Sequence, residues 1–543
     1  MHGGLPDLST PSDSRGSPGV DKSAWSPVPE GSRHWPGLLV AAGLAVLILG
    51  TLAVVAVEAG GFSGLGPWDW RALWFTIWQA ALSATVSGLL AVPVARALAR
   101  RRFRGRGLLV VLLGAPFLLP VIVAVMGLIA VFGRAGWLNA GLGLLGLPAQ
   151  SVYGWHGVVL AHVFFNLPLA TRLILQGWQA IPAERFRLAE ALGFSPRDTA
   201  RHLEAPMLRE VLPGIWLAVF LVCLTSFAVA LTLGGGPRAT TVELAIYQAF
   251  RFDMDMGRAA TLALVQVALS LAAMALAARV AAPAGFGAGL DRAQGPAPPG
   301  GWAGLRDAAV IALAAAFLIL PMLAVILSGL PRIAALDAAT WAATGRSLVM
   351  ALASSALMLG MGLALALAAT GRARLLVEGA GMLPIIASPL VLGTGLFLIF
   401  RGRVAPEALA LPVTVAVNAI MALPFGLRAL IPAARAIEVD YGRLSASLDL
   451  RGWARLRLLV LPRMAPALGF AGGLAAALAL GDLGVIALFA SERTATLPLR
   501  LYQLMGSYRM ADAAAASVLL MGLGFALFWA FDACGRALGR GRT

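Results

Sequence analysis

Residues Arg187 to Pro206 read RLAEALGFSPRDTARHLEAP, and the same pattern returns at an offset of 256 as RLSASLDLRGWARLRLLVLP, Arg443 to Pro462. The register pairs Arg187 with Arg443, Leu188 with Leu444, Leu192 with Leu448, Arg201 with Arg457, Leu203 with Leu459 and Pro206 with Pro462. Ahead of each copy stand a matching Leu-Pro and Arg: Leu167, Pro168 and Arg172, then Leu423, Pro424 and Arg428. Both stretches are basic, helix-forming islands in a chain that is otherwise mostly apolar. A module repeated at this length sets the architecture before any local pattern does.

Composition says what surrounds the islands. The chain has 543 residues, 59% of them hydrophobic and 13% charged, against about 25% charged in ordinary soluble proteins. Its apolar runs reach the roughly 20 residues that a helix needs to cross a bilayer. They are continuous rather than alternating, which selects helices over a barrel. The net charge of +16 comes from arginines in short clusters between apolar runs, the pattern of topology signals rather than of a nucleic-acid surface. Cys223 and Cys534 lie far apart, in or beside apolar runs, where a cysteine acts as a small buried hydrophobe. No metal spacing is present. A phosphate-binding P-loop needs a lysine, and the chain has only Lys22, in its polar leader. The expectation is a chain with no ATPase site, no cofactor and no metal of its own, driven by a partner or by a gradient.

Candidate spans in the first half are Leu38 to Val57, Leu73 to Leu98, Leu108 to Phe132, Val152 to Leu175, Leu212 to Leu233 and Ala259 to Val280. Those in the second half are Ala308 to Leu330, Ser347 to Ala369, Gly379 to Phe400, Leu409 to Leu430, Ala465 to Phe489 and Ala514 to Phe531. The expected fold is all-α, about 12 membrane helices arranged as two six-helix repeats. Residues 1–36 read as a polar extension, 37–280 as the first domain, 281–301 as a Gly-, Ala- and Pro-rich linker, and 302–543 as the second domain.

Positive loops stay in the cytoplasm. Arginines cluster at Arg96 to Arg106, at Arg185 to Arg209, at Arg372 and Arg374, at Arg435 to Arg463, and at Arg536 to Arg542. This pattern places both islands and both termini in the cytoplasm. Each half then crosses an even number of times, so the halves run parallel about an axis along the membrane normal. Thr76 with Thr344, Ser87 with Ser355, Arg104 with Arg372 and Pro120 with Pro389 need an offset of 268 to 269 rather than 256. The slip falls after the third span, where Gly133 to Gln150 is longer than its counterpart around Arg401 to Ala408, as expected of a surface connection.

Each island reads as an amphipathic helix-turn-helix. Leu188, Leu192 and Leu203 are expected to pack down while the arginines face water or a partner. Gly193 permits the turn, and Pro196 suits the first turn of the second piece. Asp482, flanked by Gly481 and Gly484, is the best polar candidate for a pathway inside the spans, with Thr225 and Ser226 at the equivalent place. His162 and Asn166 read as interhelical hydrogen-bonding groups. Trp74, Trp155, Trp302 and Trp178 read as interface anchors. Gly234 to Arg258 and Ala490 to Asp512 also echo each other, and Thr240, Tyr247, Gln248, Thr496, Tyr502 and Gln503 are candidates to meet a partner outside or to form re-entrant gates.

Ala189, Gly193 and Pro206 resemble the cytoplasmic signature loop of the binding-protein-dependent ABC importer permeases, with Asp449 standing where the second copy should have the glycine. The resemblance places coupling to an ATPase on Arg187, Leu188, Ala189, Glu190, Ala191, Leu192, Gly193 and Pro206, and on Arg443, Leu444, Ala446, Leu448, Asp449, Gly452 and Pro462. TSFAVALTLGGGPRATTVELAIYQAFRFDMDMGRAA (Thr225 to Ala260), LGDLGVIALF (Leu480 to Phe489) and TLPLRLYQLMGSYRMADAA (Thr496 to Ala514) are similar to the fused two-domain permeases of bacterial thiamine importers. Iron(III) importer permeases share that layout. The resemblance implies the type I importer fold in the bacterial inner membrane and alternating access driven by an ATPase dimer, which binds the ATP and magnesium. It also implies a periplasmic binding protein outside, thiamine or its phosphate esters as substrate, and membrane lipid around the spans. The competing class is a gradient-driven secondary carrier, which would place coupling carboxylates in its spans.

Overall fold

The structure is a computed structural model that describes residues 35–60, 64–114, 118–280, 301–371 and 373–540. The expected extension, up to residue 34, and the linker, from 281 to 300, lie outside the described residues, as do Arg372 and Arg542.

The first half runs through α1 (Trp35–Ala59), α2 (Pro67–Arg100), α3 (Arg106–Leu112), α4 (Val121–Phe132), α5 (Trp137–Leu144), α6 (Trp155–Gln179), α7 (Ala183–Ala191) and α8 (Pro196–Thr199). It continues through α9 (Ala205–Leu224), α10 (Ala228–Leu233), α11 (Val242–Arg251) and α12 (Met256–Val280). The second half runs through α13 (Trp302–Gly329), α14 (Ala338–Ala368), α15 (Arg374–Met382), α16 (Pro389–Phe400), α17 (Pro406–Ser447), α18 (Gly452–Arg455), α19 (Leu461–Leu480), α20 (Gly484–Phe489), α21 (Leu497–Gly506) and α22 (Met510–Arg540). Among the described residues, 11 helices are long and apolar enough to span, or 12 if the bent pair α15 and α16 counts as one span.

Four of the expected spans are broken. The third has its break between α3 and α4, at Pro120, and the ninth bends by 92° between α15 and α16, at Pro389. Pro120 caps the start of α4 and Pro389 opens the first turn of α16, positions where a missing N–H leaves no helical hydrogen bond unmade. The fifth and eleventh spans break after Leu224 and Leu480. The register slip has its cause in α5, which has no counterpart between α16 and α17.

The halves exchange their first helices. α1 packs on α14, α15 and α16 of the other half as well as on α12, and α13 packs on α2 and α4 as well as on α22. Close backbone approach makes this possible. A Cβ on Gly127 of α4 would sit 2.6 Å from the Pro321 carbonyl oxygen of α13, and one on Gly395 of α16 would sit 2.9 Å from Thr51 of α1. Gly127 and Gly395 correspond in the same register that pairs Thr76 with Thr344, so the two exchanges are equivalent. In lipid, helices associate through such close packing rather than through a hydrophobic drive.

Candidate coupling islands and translocation path

Each island is built on the same turn. In the first, the Gly193 N–H donates to the Glu190 carbonyl at 3.0 Å and the Phe194 N–H to the Ala189 carbonyl at 2.9 Å. In the second, Asp449 donates to Ala446 at 3.1 Å and Leu450 to Ser445 at 2.9 Å. This is the Schellman closure, which needs a left-handed residue just past the helix. Gly193 adopts φ 68° and Asp449 φ 48°. Aspartate is one of the few side chains that tolerates this region, so the missing glycine leaves the turn intact.

Past the turn, each copy makes one π turn, at Ala200–Glu204 and Leu456–Val460. Pro206 and Pro462 explain its position. A proline ring would collide with the carbonyl four residues back, and the wider turn lets the preceding N–H reach one residue further, from Ala205 to Ala200 and from Leu461 to Leu456.

The packed face differs from the sequence expectation. Ala183, Phe186 and Ala189 face inward along α7, whereas Leu188 and Leu192 are 60% and 63% exposed; Leu444 and Leu448 are 52% and 60% exposed. Leu203 alone of the expected trio packs against the core. The inward positions are spaced three apart, and the leucines fall on the opposite side of that helix. The islands therefore present apolar knobs among arginines, alongside Glu190, Ala191 and Ala446, which are also exposed.

Their mounts differ. α6 ends at Gln179 and Pro182 caps the start of α7 as a separate helix, whereas the counterpart of Pro182 in the second copy is Glu438 and α17 runs on for 42 residues. Glu204, buried in the first π turn, pairs with Arg96 at 2.9 Å and Arg100 at 2.6 Å on α2. The equivalent residue is Val460, buried at 2% exposure. Glu438 instead pairs with Arg455 inside the second island. Some arginines of the α2 cluster are thus structural ties, Arg101 included, which reaches Asp307 on α13 at 2.9 Å. Ser195 and Asp198 cap α8 reciprocally.

Thr225, Ser226 and Asp482 all sit in the unwound joints between α9 and α10 and between α19 and α20. The Asp482 Oδ1 accepts from the Gly484 N–H at 3.1 Å, while its buried Oδ2 has no partner among the described residues. A Cβ on Gly484 would lie 3.7 Å from the Phe227 ring, so the joints of the two halves meet. His162 and Asn166 do link helices: His162 Nδ1 lies 3.3 Å from Ser83 Oγ on α2, and Asn166 reaches Cys223 Sγ on α9 at 3.4 Å. Trp178 is no interface anchor. It is 5% exposed and packs in the core, while Trp74, Trp155 and Trp302 stay exposed. Cys534 is also exposed, unlike Cys223.

The outer segments fold inward. Tyr247 is 8% exposed and Thr496 is fully buried, so neither offers a surface to an outside partner. The reason is local: the Val242 N–H donates to Thr76 Oγ1 on α2 and the Leu497 N–H to Ser347 Oγ on α14, both at 2.8 Å, which pulls α11 and α21 into the bundle. Thr240, Gln248, Tyr502 and Gln503 remain part-exposed. Tyr247 lies near Tyr502 of the other half. Phe250 meets Phe397 at 4.6 Å and Phe489 at 6.4 Å, an aromatic plug across the halves. Asp69 pairs with Arg258 at 2.8 Å, and its repeat counterpart, Asp337, pairs with Arg500 at 2.8 Å and Arg509 at 3.3 Å. These clasps tie each second helix to its half's returning segment. Sequence reading misses them, although Asp69 and Asp337 repeat in the register of Thr76 and Thr344.

The family model for the binding-protein-dependent transport system inner membrane component matches residues 88–282. The thiamine transport system permease protein ThiP of Brucella abortus (strain 2308) is 40% identical over 516 residues, covering 91% of this chain and 94% of that protein. ThiP of Salmonella typhimurium is 39% identical over 511 residues (91% and 95%), and ThiP of Escherichia coli K12 is 39% identical over 507 residues (88% and 94%). The chain belongs to this permease family. It is a multi-pass inner-membrane permease subunit of a binding-protein-dependent ABC importer, with the helical architecture of the type I importers. Within that family, the repeated turn with its exposed leucines and the paired joints are the two features of this permease that its geometry singles out.

Proposed function

We propose that this permease carries thiamine, or thiamine phosphate esters, inward by alternating access, without an ATPase site, cofactor or metal of its own. A dimer of ATPase subunits, which binds the ATP and magnesium, grips the two islands. The observation that carries this reading is the pair of equivalent knobs, Leu188 with Leu192 and Leu444 with Leu448, exposed on matching turns of a chain 40% identical along most of its length to a thiamine permease. Isolated exposed leucines need no explanation, but a two-fold related pair of apolar knobs fits a two-fold partner.

In this reading both termini are cytoplasmic, the domains are 37–280 and 302–543, and a periplasmic binding protein docks outside, with Thr240, Gln248, Tyr502 and Gln503 the accessible contact candidates. Asp482, Thr225 and Ser226 line the path where the two joints meet. The aromatic plug closes that path on the outer side, so closure of the ATPase dimer has to part Phe250 from Phe397 and Phe489. The test is uptake of labelled thiamine by vesicles holding the permease, its ATPase partner and the binding protein. Uptake should require ATP and all three components. Accumulation by the permease alone under a proton or sodium gradient, or transport of iron(III) in place of thiamine, would overturn the reading.

A further inference from the structure

One stripe of α2 joins two cavities. The upper, of about 700 Å³, is lined by Trp68, Arg71, Phe75 and Trp78 of α2, by Trp155 in the first turn of α6, and by Arg238. Arg71 lies over the Trp68 ring, 4.8 Å from its centroid, and neither Arg71 nor Arg238 is in an ion pair among the described residues. Asp69, the nearest acid along α2, is buried and turned away to Arg258. The lower cavity, of about 480 Å³, continues between α2, α6 and α13, past Leu90, Val163, Leu167 and Phe317. Of its lining side chains, only Trp155 and His156 carry a polar atom, and both stand at its upper end.

Trp155 lines both cavities, so they adjoin at its indole as a cleft with a cationic, indole-ringed mouth and an apolar trough. From Trp155 to Leu167 the trough follows about 12 residues of α6, about 18 Å at the helical rise of roughly 1.5 Å per residue. One leaflet contributes about half of a roughly 30 Å hydrocarbon core, so the trough has the length of one acyl chain. Indoles gather at the depth of lipid headgroups, and guanidinium groups pair readily with phosphate.

We propose that this cleft holds one anionic glycerophospholipid. Its phosphate sits between Arg71 and Arg238, and one acyl chain lies along the trough against α13, the helix that the second half lends to the first. The lipid then forms part of the joint between the halves rather than of the general bilayer. The T-shaped contact of Phe317 on Phe164, with centroids 5.7 Å apart, forms the inner wall that keeps the chain at the protein surface.

The test uses the full chain, reconstituted in phosphatidylethanolamine vesicles with a minor share of phosphatidylglycerol, extracted gently and weighed by native mass spectrometry. The wild type should retain one phosphatidylglycerol. Arg71→Gln with Arg238→Gln should lower retention at least about fivefold, since each basic side chain near a membrane surface contributes on the order of 1 kcal/mol. Arg71→Lys with Arg238→Lys, which keeps the charge, should largely restore it. Leu313→Trp, at an exposed position lining the trough, should lower retention without touching either arginine. Equal retention by the wild type and both the glutamine and tryptophan variants would overturn the proposal. So would displacement of the bound mass by inorganic phosphate alone, which would make the mouth a free-anion site. Loss of binding-protein docking in the glutamine variant, with lipid retention unchanged, would make it a protein contact and would equally overturn the lipid assignment.

Discussion

The two islands share a turn and differ in how they are mounted. The Schellman closure, the left-handed residue, the π turn and the exposed leucines recur in both copies. The first stands on a separate helix behind Pro182 and is tied to α2 by the charged pairs of Glu204, whereas the second ends a 42-residue helix and rests on Val460. A recurring tip on unlike supports is what the proposed coupling role would require, with each half solving its own anchoring. The outer clasps divide in the same way, since Asp69 is buried with one arginine and Asp337 is part-exposed with two.

The widest test of that comparison is made at the tips. Leu188→Asp with Leu192→Asp, and separately Leu444→Asp with Leu448→Asp, should each weaken ATPase binding by about 2–4 kcal/mol, the range of an interface hot spot. Co-purification with the ATPase reads this out. Equal losses keep the tips equivalent, and a loss from one pair alone breaks the comparison.

The mounts should separate the halves. Glu204→Gln leaves Arg96 and Arg100 without their counter-charge and should cost about 3 kcal/mol, as expected for breaking a buried ion pair. Val460→Ala, which removes only apolar volume, should cost about 1–2 kcal/mol. Thermal unfolding of the purified permease measures both, and equal costs would deny that the supports differ in kind.

At the turns, the left-handed residue should give opposite signs. Gly193→Val places a branched side chain where φ is positive and should destabilise the turn by about 1–2 kcal/mol, whereas Asp449→Gly should stabilise it by about 1 kcal/mol or less. Limited proteolysis at the islands reads this out, and identical responses would mean that the two turns are not held alike.

The smallest effect belongs to the part-exposed clasp. Hydrogen bonds from Thr340, then the Arg500 guanidinium, hold the Asp337 carboxyl well below its ordinary value. A lowered carboxylate stabilises the folded state above its unfolded value, near about 3.9, and that stabilisation is lost as pH falls toward the folded value. Asp337→Asn should therefore cost on the order of 1 kcal/mol or less after solvent screening, evenly between about pH 5 and 8, with the difference from wild type shrinking below about pH 4. A difference in melting temperature that changed between about pH 8 and 5 would contradict this assignment.

The repeat is legible in the sequence because paired residues such as Arg187 with Arg443 and Pro206 with Pro462 survive at a fixed offset, and the rings of Pro206 and Pro462 favour the wider π turns just before them. The slip in register is legible too, and its physical cause is α5. The leucine faces are not, because a helix as short as α7 offers two sides of similar apolarity and only the bundle decides which is covered. Trp178, Tyr247 and Thr496 escape for a related reason. An indole, a phenol or a hydroxyl suits a membrane boundary as well as a packed interior, and the hydroxyls of Thr76 and Ser347 that draw α11 and α21 inward belong to helices far back in the chain.

What the sequence determined by itself is the local chemistry: spanning length from apolar runs, turns from Gly193 and Asp449, and the two-fold plan from the repeat. What only the tertiary structure decided is partnership across distance. The exchange of α1 and α13, the Glu204 tie to α2, the plug of Phe250 with Phe397 and Phe489, and the cleft against α13 all join residues whose separation along the chain leaves no periodic trace. Their contacts form when backbones approach closely at Gly127 and Gly395, and that approach is a property of the assembled bundle.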